Sequence, residues 1–117
     1  MNVKEIALEI AGLIDDKKGH DIQILDVRHL SSIADYFVIA TGTSNTHVNA
    51  IADGVVEELR ERGLEMSHKE GKRGGNWILI DCLDIIVHVF TKAEREFYDI
   101  ERIWSDAEKL ELNIDTF

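Results

Sequence analysis

Basic residues are scarce in this chain: 13 Lys and Arg stand against 23 Asp and Glu, for a formal net charge of −10. A protein that holds nucleic acid by neutralising phosphates needs clustered Lys and Arg, so sequence-specific nucleic-acid binding is not expected. The imbalance suits a basic partner instead, because opposite potentials speed encounter and suppress wrong partners, and it keeps the protein soluble. The single cysteine, Cys82, can form no internal disulfide, so nothing points to secretion. No apolar run approaches the roughly 20 residues that span a bilayer. The N-terminal segment carries Glu5 and Glu9 among alternating polar and apolar positions, unlike a signal or transit peptide. A cytoplasmic protein without a membrane partner is the expectation. Proline is absent.

What is present suffices for one domain over residues 1–117, with 44% hydrophobic and 31% charged residues, as in ordinary globular chains. Val3, Ile6, Ala7, Ile10, Leu13 and Ile14 recur at helical spacing, predicting a helix over about 3–17 that Gly19 stops. Ile22–Val27 alternates as a short strand. Tyr36–Thr41 is a continuous apolar run, the pattern of a strand covered on both faces. Ser44 or Asn45 caps a second helix that buries Val48, Ile51, Ala52, Val55, Val56 and Leu59 and ends at Gly63. Leu64–Lys69 reads as a polar strand near an edge, and Glu70–Asn76 as a mobile Gly-rich connection. Trp77–Asp81 and Asp84–Phe90 form a hairpin. From Thr91 helical spacing returns, with Phe97, Ile100, Ile103, Trp104 and Ala107 apolar. The order predicts an α/β fold with a mixed five-stranded sheet flanked by helices.

The hairpin is the most informative segment. With a two-residue turn at Cys82 and Leu83, Trp77 pairs with His88, Leu79 with Ile86 and Asp81 with Asp84. One face then carries Trp77, Leu79, Asp81, Asp84, Ile86, His88 and Phe90, and the other carries Ile78, Ile80, Ile85, Val87 and Val89. The second face is core. The first mixes apolar residues with carboxylates and an imidazole, the composition of a docking surface with an aromatic anchor and a polar rim. A helix lying over this face would instead bury Trp77, and a turn one residue longer would pair Trp77 with Val87.

Other candidates have plain structural readings. Asp81 and Asp84 could serve as metal ligands or as acid and base, but carboxylates at a hairpin tip are usually solvated, and no third ligand is close in sequence. Thr41-Gly42-Thr43-Ser44 could cradle a phosphate at a helix N-terminus, yet it lacks the spacing of a Walker loop or dinucleotide fingerprint. Lys69, Lys72 and Arg73 make one basic spot, open to RNA phosphate but more simply a solvated loop. The five histidines include no i,i+4 pair, and Cys82 has no base beside it in sequence. No cofactor, metal or catalytic residue is expected.

Three segments carry a resemblance. Asp35–Ser44 with His47 and Ala50–Asp53, then Trp77–Asp81, Asp84 and Val87–Phe90, and finally Arg95, Tyr98, Glu101 and Trp104 resemble, in order, three signatures of the ribosomal silencing factor (Iojap-like) family. The match runs from about Asp26 to Ala107. The chain departs where the family usually has Thr (here Ala34) and Gly (here Leu83). The resemblance implies a nucleotidyltransferase-like topology without the catalytic site, since Gly42 is followed by helix on which Asp53 stands alone. It implies a non-enzymatic factor that binds the large-subunit ribosomal protein numbered fourteen, blocks subunit joining, and damps translation when nutrients are short. Trp77, Leu79 and Ile86 would then form the apolar anchor, Asp81 and Asp84 would meet basic residues, His88 would hydrogen-bond from the centre, and Tyr98 would close one side. Asp35, Ser44 and His47 would hold the strand-to-helix turn. A metal-dependent nucleotidyltransferase-like enzyme using Gly42–Ser44 with Asp53 or Asp81 is the contrasting reading, and a homodimer through the hairpin face is a third.

Overall fold

The computed structural model describes residues 2–64 and 68–112. Helix α1 (Val3–Asp16) begins where the Asn2 side chain accepts the Glu5 amide at 2.8 Å. Its stop differs from expectation: Lys18 takes the left-handed turn at φ 66°, and Gly19 is needed for close approach, since a Cβ there would lie 2.3 Å from the Ile14 side chain. Strand β1 (His20–Asp26) runs antiparallel to β2 (Tyr36–Gly42), every residue of which is buried. The Ser44 hydroxyl accepts the His47 amide and caps α2 (Asn45–Glu61), whose buried residues are the six read from its periodicity. Gly63 comes two residues after the helix, at φ 78°.

Strand β3 (His68–Lys72) pairs with β4 (Trp77–Cys82), which pairs with β5 (Ile85–Thr91). The expected strand over 64–69 thus sits later in the chain, and its residues 65–67 lie outside the described ones. The Gly-rich segment is no mobile loop. Glu70–Lys72 belong to β3, and a short 3-10 turn (Arg73–Gly75) is pinned by α2, with the Asn45 amide donating to the Gly74 carbonyl at 2.6 Å and Asn49 to Gly75 at 3.2 Å. The last helix is broken: α3 (Lys92–Tyr98) and α4 (Ile100–Ile103) meet at Asp99, which is left-handed at φ 46° and ψ 50°. A two-residue strand β6 (Glu108–Lys109) then pairs with β1, making six strands rather than five, in the order β3-β4-β5-β2-β1-β6. Strands β2 and β5 are parallel at the centre and the other pairings are antiparallel, so the sheet is mixed as expected.

The hairpin turn falls at Leu83 and Asp84, not at Cys82 and Leu83. Trp77 is paired with Phe90, Leu79 with His88, Asp81 with Ile86 and Cys82 with Ile85. The partners of Trp77, Leu79 and Asp81 are each displaced by two residues from the expected ones, and Cys82 joins the strand instead of the turn. Because side chains alternate with period two, such a shift leaves both faces unchanged. Only Asp84 leaves the face for the turn, where its carbonyl accepts the Asp35 and Tyr36 amides at 2.7 and 3.2 Å. Leu83 occupies the left-handed region at φ 56°, which a glycine would enter without strain.

Helices α1 and α2 cover one side of the sheet, against Ile78, Ile80, Cys82, Ile85, Val87 and Val89. On the other side a smaller core joins Leu25, Phe37, Ile39 and Phe90 to Tyr98, Ile100 and Trp104. Short α3 and α4 therefore cap β5, β2 and β1 on that side, and the outer strands β4 and β3 stay at the surface.

Candidate protein-docking face

The partly uncovered face is built in register. Along β4 stand Trp77, Leu79 and Asp81, flanked on β3 by Lys72, Glu70 and His68 and on β5 by Phe90, His88 and Ile86. Trp77, Leu79, Asp81 and Ile86 are half-buried, while His88 is 7% exposed and Phe90 is sealed. The expected site residues thus share one surface, except that Asp84 lies at its lower end in the turn and His88 lies beneath it.

Trp77 is held from four directions. Its indole stacks on Phe90 with ring centres 4.9 Å apart and lies against Tyr98 at 4.8 Å. The Lys72 ammonium sits 5.2 Å from the ring centre, within cation–π range. The indole N–H donates to His88 Nδ1 at 3.2 Å. That bond needs an unprotonated Nδ1, so the imidazole is neutral with its proton on Nε2. Burial, aided by the Lys72 charge, pushes the His88 pKa down to about 4. Phe37 meets the His88 ring edge-on at 5.3 Å. His88 is therefore a support for Trp77, a role invisible from strand alternation alone.

The polar rim is laid out along β3. Glu70 accepts from His68 at 3.0 Å and pairs with Lys72 at 3.0 Å, which holds its carboxyl below the usual range. The basic spot expected at Lys69, Lys72 and Arg73 is compensated throughout: Lys69 reaches Asp53 at 2.7 Å and Arg73 lies 3.5 Å from Glu94. Phosphate would have to break these pairs.

Tyr98 is placed by a clamp across the break at Asp99. Buried Arg95 on α3 forks onto Glu101 on α4 at 2.9 and 3.0 Å, and also donates to Thr41 Oγ1 at 2.8 Å and the Asp21 carbonyl at 2.7 Å. The fork holds the Glu101 carboxyl below its ordinary pKa. Four acceptors from α4, β2 and β1 thus fix the path that sets Tyr98 beside Trp77. Phe97, one of the apolar positions of this segment, is 74% exposed, because Arg95, two residues before it on α3, is the buried residue and Phe97 therefore faces the opposite side of the helix. Spacing alone does not reveal the break at Asp99.

The strand-to-helix turn is occupied by its own bonds. The Thr43 amide donates to His47 Nδ1 at 2.8 Å, and His47 Nε2 donates to the Lys17 carbonyl at 2.8 Å. His47 and Ser44 hold the turn, but Asp35, expected to do so as well, lies at the opposite end of β2, where its amide donates to the Asp84 carbonyl and its carbonyl accepts the Val27 amide. The amide a phosphate would want is thus engaged, and Asp53, on α2, is paired with Lys69. Among the described residues no three His, Cys, Asp or Glu side chains group as metal ligands. Burial raises the Cys82 thiol pKa, the opposite of what a nucleophile needs. No helix among the described residues is long and apolar enough to cross a membrane.

Comparison with known proteins gives the family and the fold. Residues 1–116 match the family model described as ribosomal silencing factor during starvation. The chain is 40% identical over 113 residues to the ribosomal silencing factor of Bacillus subtilis, covering 97% of this chain and 96% of that one. It is 30% identical over 110 residues to the chloroplastic protein Iojap of Zea mays, covering 94% of this chain but 48% of the longer plant protein. A crystal structure of a Chromobacterium violaceum protein superposes with a TM-score of 0.86 at 36% identity, covering 98% of this chain and 95% of that one. The chain belongs to the ribosomal silencing factor family.

Proposed function

We propose that the β4–β5 face binds a basic protein of the large ribosomal subunit, the ribosomal protein numbered fourteen, and that the bound factor sterically blocks the small subunit and so represses translation. The reading is carried by one observation, an immobilised Trp77 on a sheet face that α3 and α4 leave partly uncovered. A pre-ordered aromatic anchor loses little conformational entropy on binding, and such anchors dominate interface energetics. Leu79 and Ile86 extend the apolar surface, and Asp81 and Asp84 supply negative charge toward basic side chains. The net charge of −10 favours a basic protein patch over exposed ribosomal RNA. Blocking requires bulk at the joint between subunits, with no chemical step.

The test is reconstitution from purified subunits. Pre-incubating large subunits with the protein at stoichiometric amounts lowers the yield of joined ribosomes on a sucrose gradient, and the protein travels with the large subunit. Joining at full yield while the protein remains bound would contradict the blocking step. No co-migration with large subunits would contradict the binding step.

A further inference from the structure

The aromatic anchor does not end at Trp77. Its ring leads to Tyr98 at 4.8 Å, and Tyr98 meets the ring of Phe97 edge-on at 5.0 Å with an interplanar angle of 87°. The three rings form a continuous strip from β4 across the end of α3. Phe97 is the most exposed large hydrophobic residue of the described chain. It is held there by construction: the bonds of Arg95 to Glu101 turn that side of α3 inward, and Phe97, two residues on, faces the opposite side. A strained non-glycine turn locked by a buried guanidinium, with an exposed Phe beside it, is the kind of local sacrifice found where a surface is used.

The charge around Phe97 selects the occupant. Glu96 and Asp99 are exposed, and among the described residues neither side chain is engaged in an ion pair or hydrogen bond. Of the cations on α3, Arg95 is turned inward and consumed by Glu101, whereas Lys92 is exposed and lines the same shallow cavity as Glu96 and Asp99, two carboxylates to its one ammonium. A second copy of this chain would bring another −10 charge against this surface, and a nucleic acid would bring phosphates. We propose that the partner-binding face extends over Tyr98 and Phe97, and that a Lys or Arg side chain of a basic protein lies across the Phe97 ring with its charge toward Glu96. This rests on the docking reading above and adds the residue and the chemistry of its far end. An exposed aromatic ring with acidic residues next to it in the chain suits such a side chain, whose stem packs on the ring while its head finds opposite charge.

Two variants test it by titration with purified large subunits. Phe97→Ser and Glu96→Lys each weaken binding about tenfold, while their urea midpoints stay at the wild-type value because both side chains are exposed. Glu96→Lys also flattens the dependence of affinity on salt. Trp77→Ala is measured beside them. If Trp77→Ala weakens binding and both α3 variants bind as wild type, the extension is wrong while the docking face stands. If all three bind as wild type, the docking reading itself fails. If Phe97→Ser converts a dimeric wild-type protein to monomer without changing its affinity for subunits, the strip serves self-association and the proposal is overturned.

Discussion

The Trp77–His88 bond makes stability depend on pH in the window of histidine titration. The unfolded imidazole titrates near 6.5, whereas burial lowers the folded pKa to about 4. Above pH 6.5 His88 is neutral in both states. As pH falls from there toward 4, the unfolded chain takes up a proton that the folded protein refuses, so folding loses stability. Carried through the two pKa values, the loss is about 2 kcal/mol between pH 7 and pH 5, rising to about 3 kcal/mol near pH 4. Asp26 and Glu101, whose folded pKa values are lowered by Arg28 and Arg95, lose their contributions mainly below pH 5. The interval from 7 to 5 therefore excludes these carboxylates, and subtracting a variant that lacks His88 removes what the other four histidines contribute. Urea unfolding at pH 7, 6 and 5 measures it, with His88→Gln as the comparison, because Gln keeps an acceptor for the indole and takes no proton. The wild type should lose about 2 kcal/mol across the interval and the variant under about 1 kcal/mol. Parallel losses in the two proteins would refute both the depressed pKa and the neutral acceptor at Trp77.

Leu83→Gly should raise stability by about 1 kcal/mol in urea unfolding, since Leu83 is half exposed and sits at φ 56°, where an L side chain is strained. Arg95→Met should lower stability by about 3 kcal/mol, because it leaves Glu101 as a half-buried carboxylate and Thr41 and the Asp21 carbonyl without their donor; the same variant should weaken large-subunit binding by freeing Tyr98.

Elements with a strong period were readable from the chain itself. The buried residues of α2 follow from 3.6-residue spacing, and the fully buried β2 follows from its unbroken apolar run. The faces of the hairpin were also readable, because any register displaced by two residues preserves them. The register itself was not, since it depends on Leu83 accepting a conformation that its own propensity disfavours. Strand β3 is polar and charged, so its position comes from backbone pairing with β4 rather than from a hydrophobic pattern. The break at Asp99 depends on Arg95 reaching Thr41 and Asp21, residues more than fifty positions away. That distant contact decides where α3 ends, and hence which part of the hairpin face stays open. The place of Trp77 on the open face was thus readable, whereas Lys72, His88 and Phe97 took on their places around it only in the folded chain.

The central claim is that the β4 face is where the large subunit is held. Truncating a central Trp at an interface commonly removes about 2 kcal/mol or more, roughly thirtyfold in affinity. Trp77 also packs on Phe90 and Tyr98, so Leu79→Lys, a change on the same face with fewer partners, is measured alongside Trp77→Ala. Co-sedimentation of each folded variant with purified large subunits gives the dissociation constant directly. Both variants are expected to bind at least about thirtyfold more weakly than the wild type. Wild-type affinity in both, with native circular dichroism, would contradict the account and place the ribosome-binding surface elsewhere on the protein.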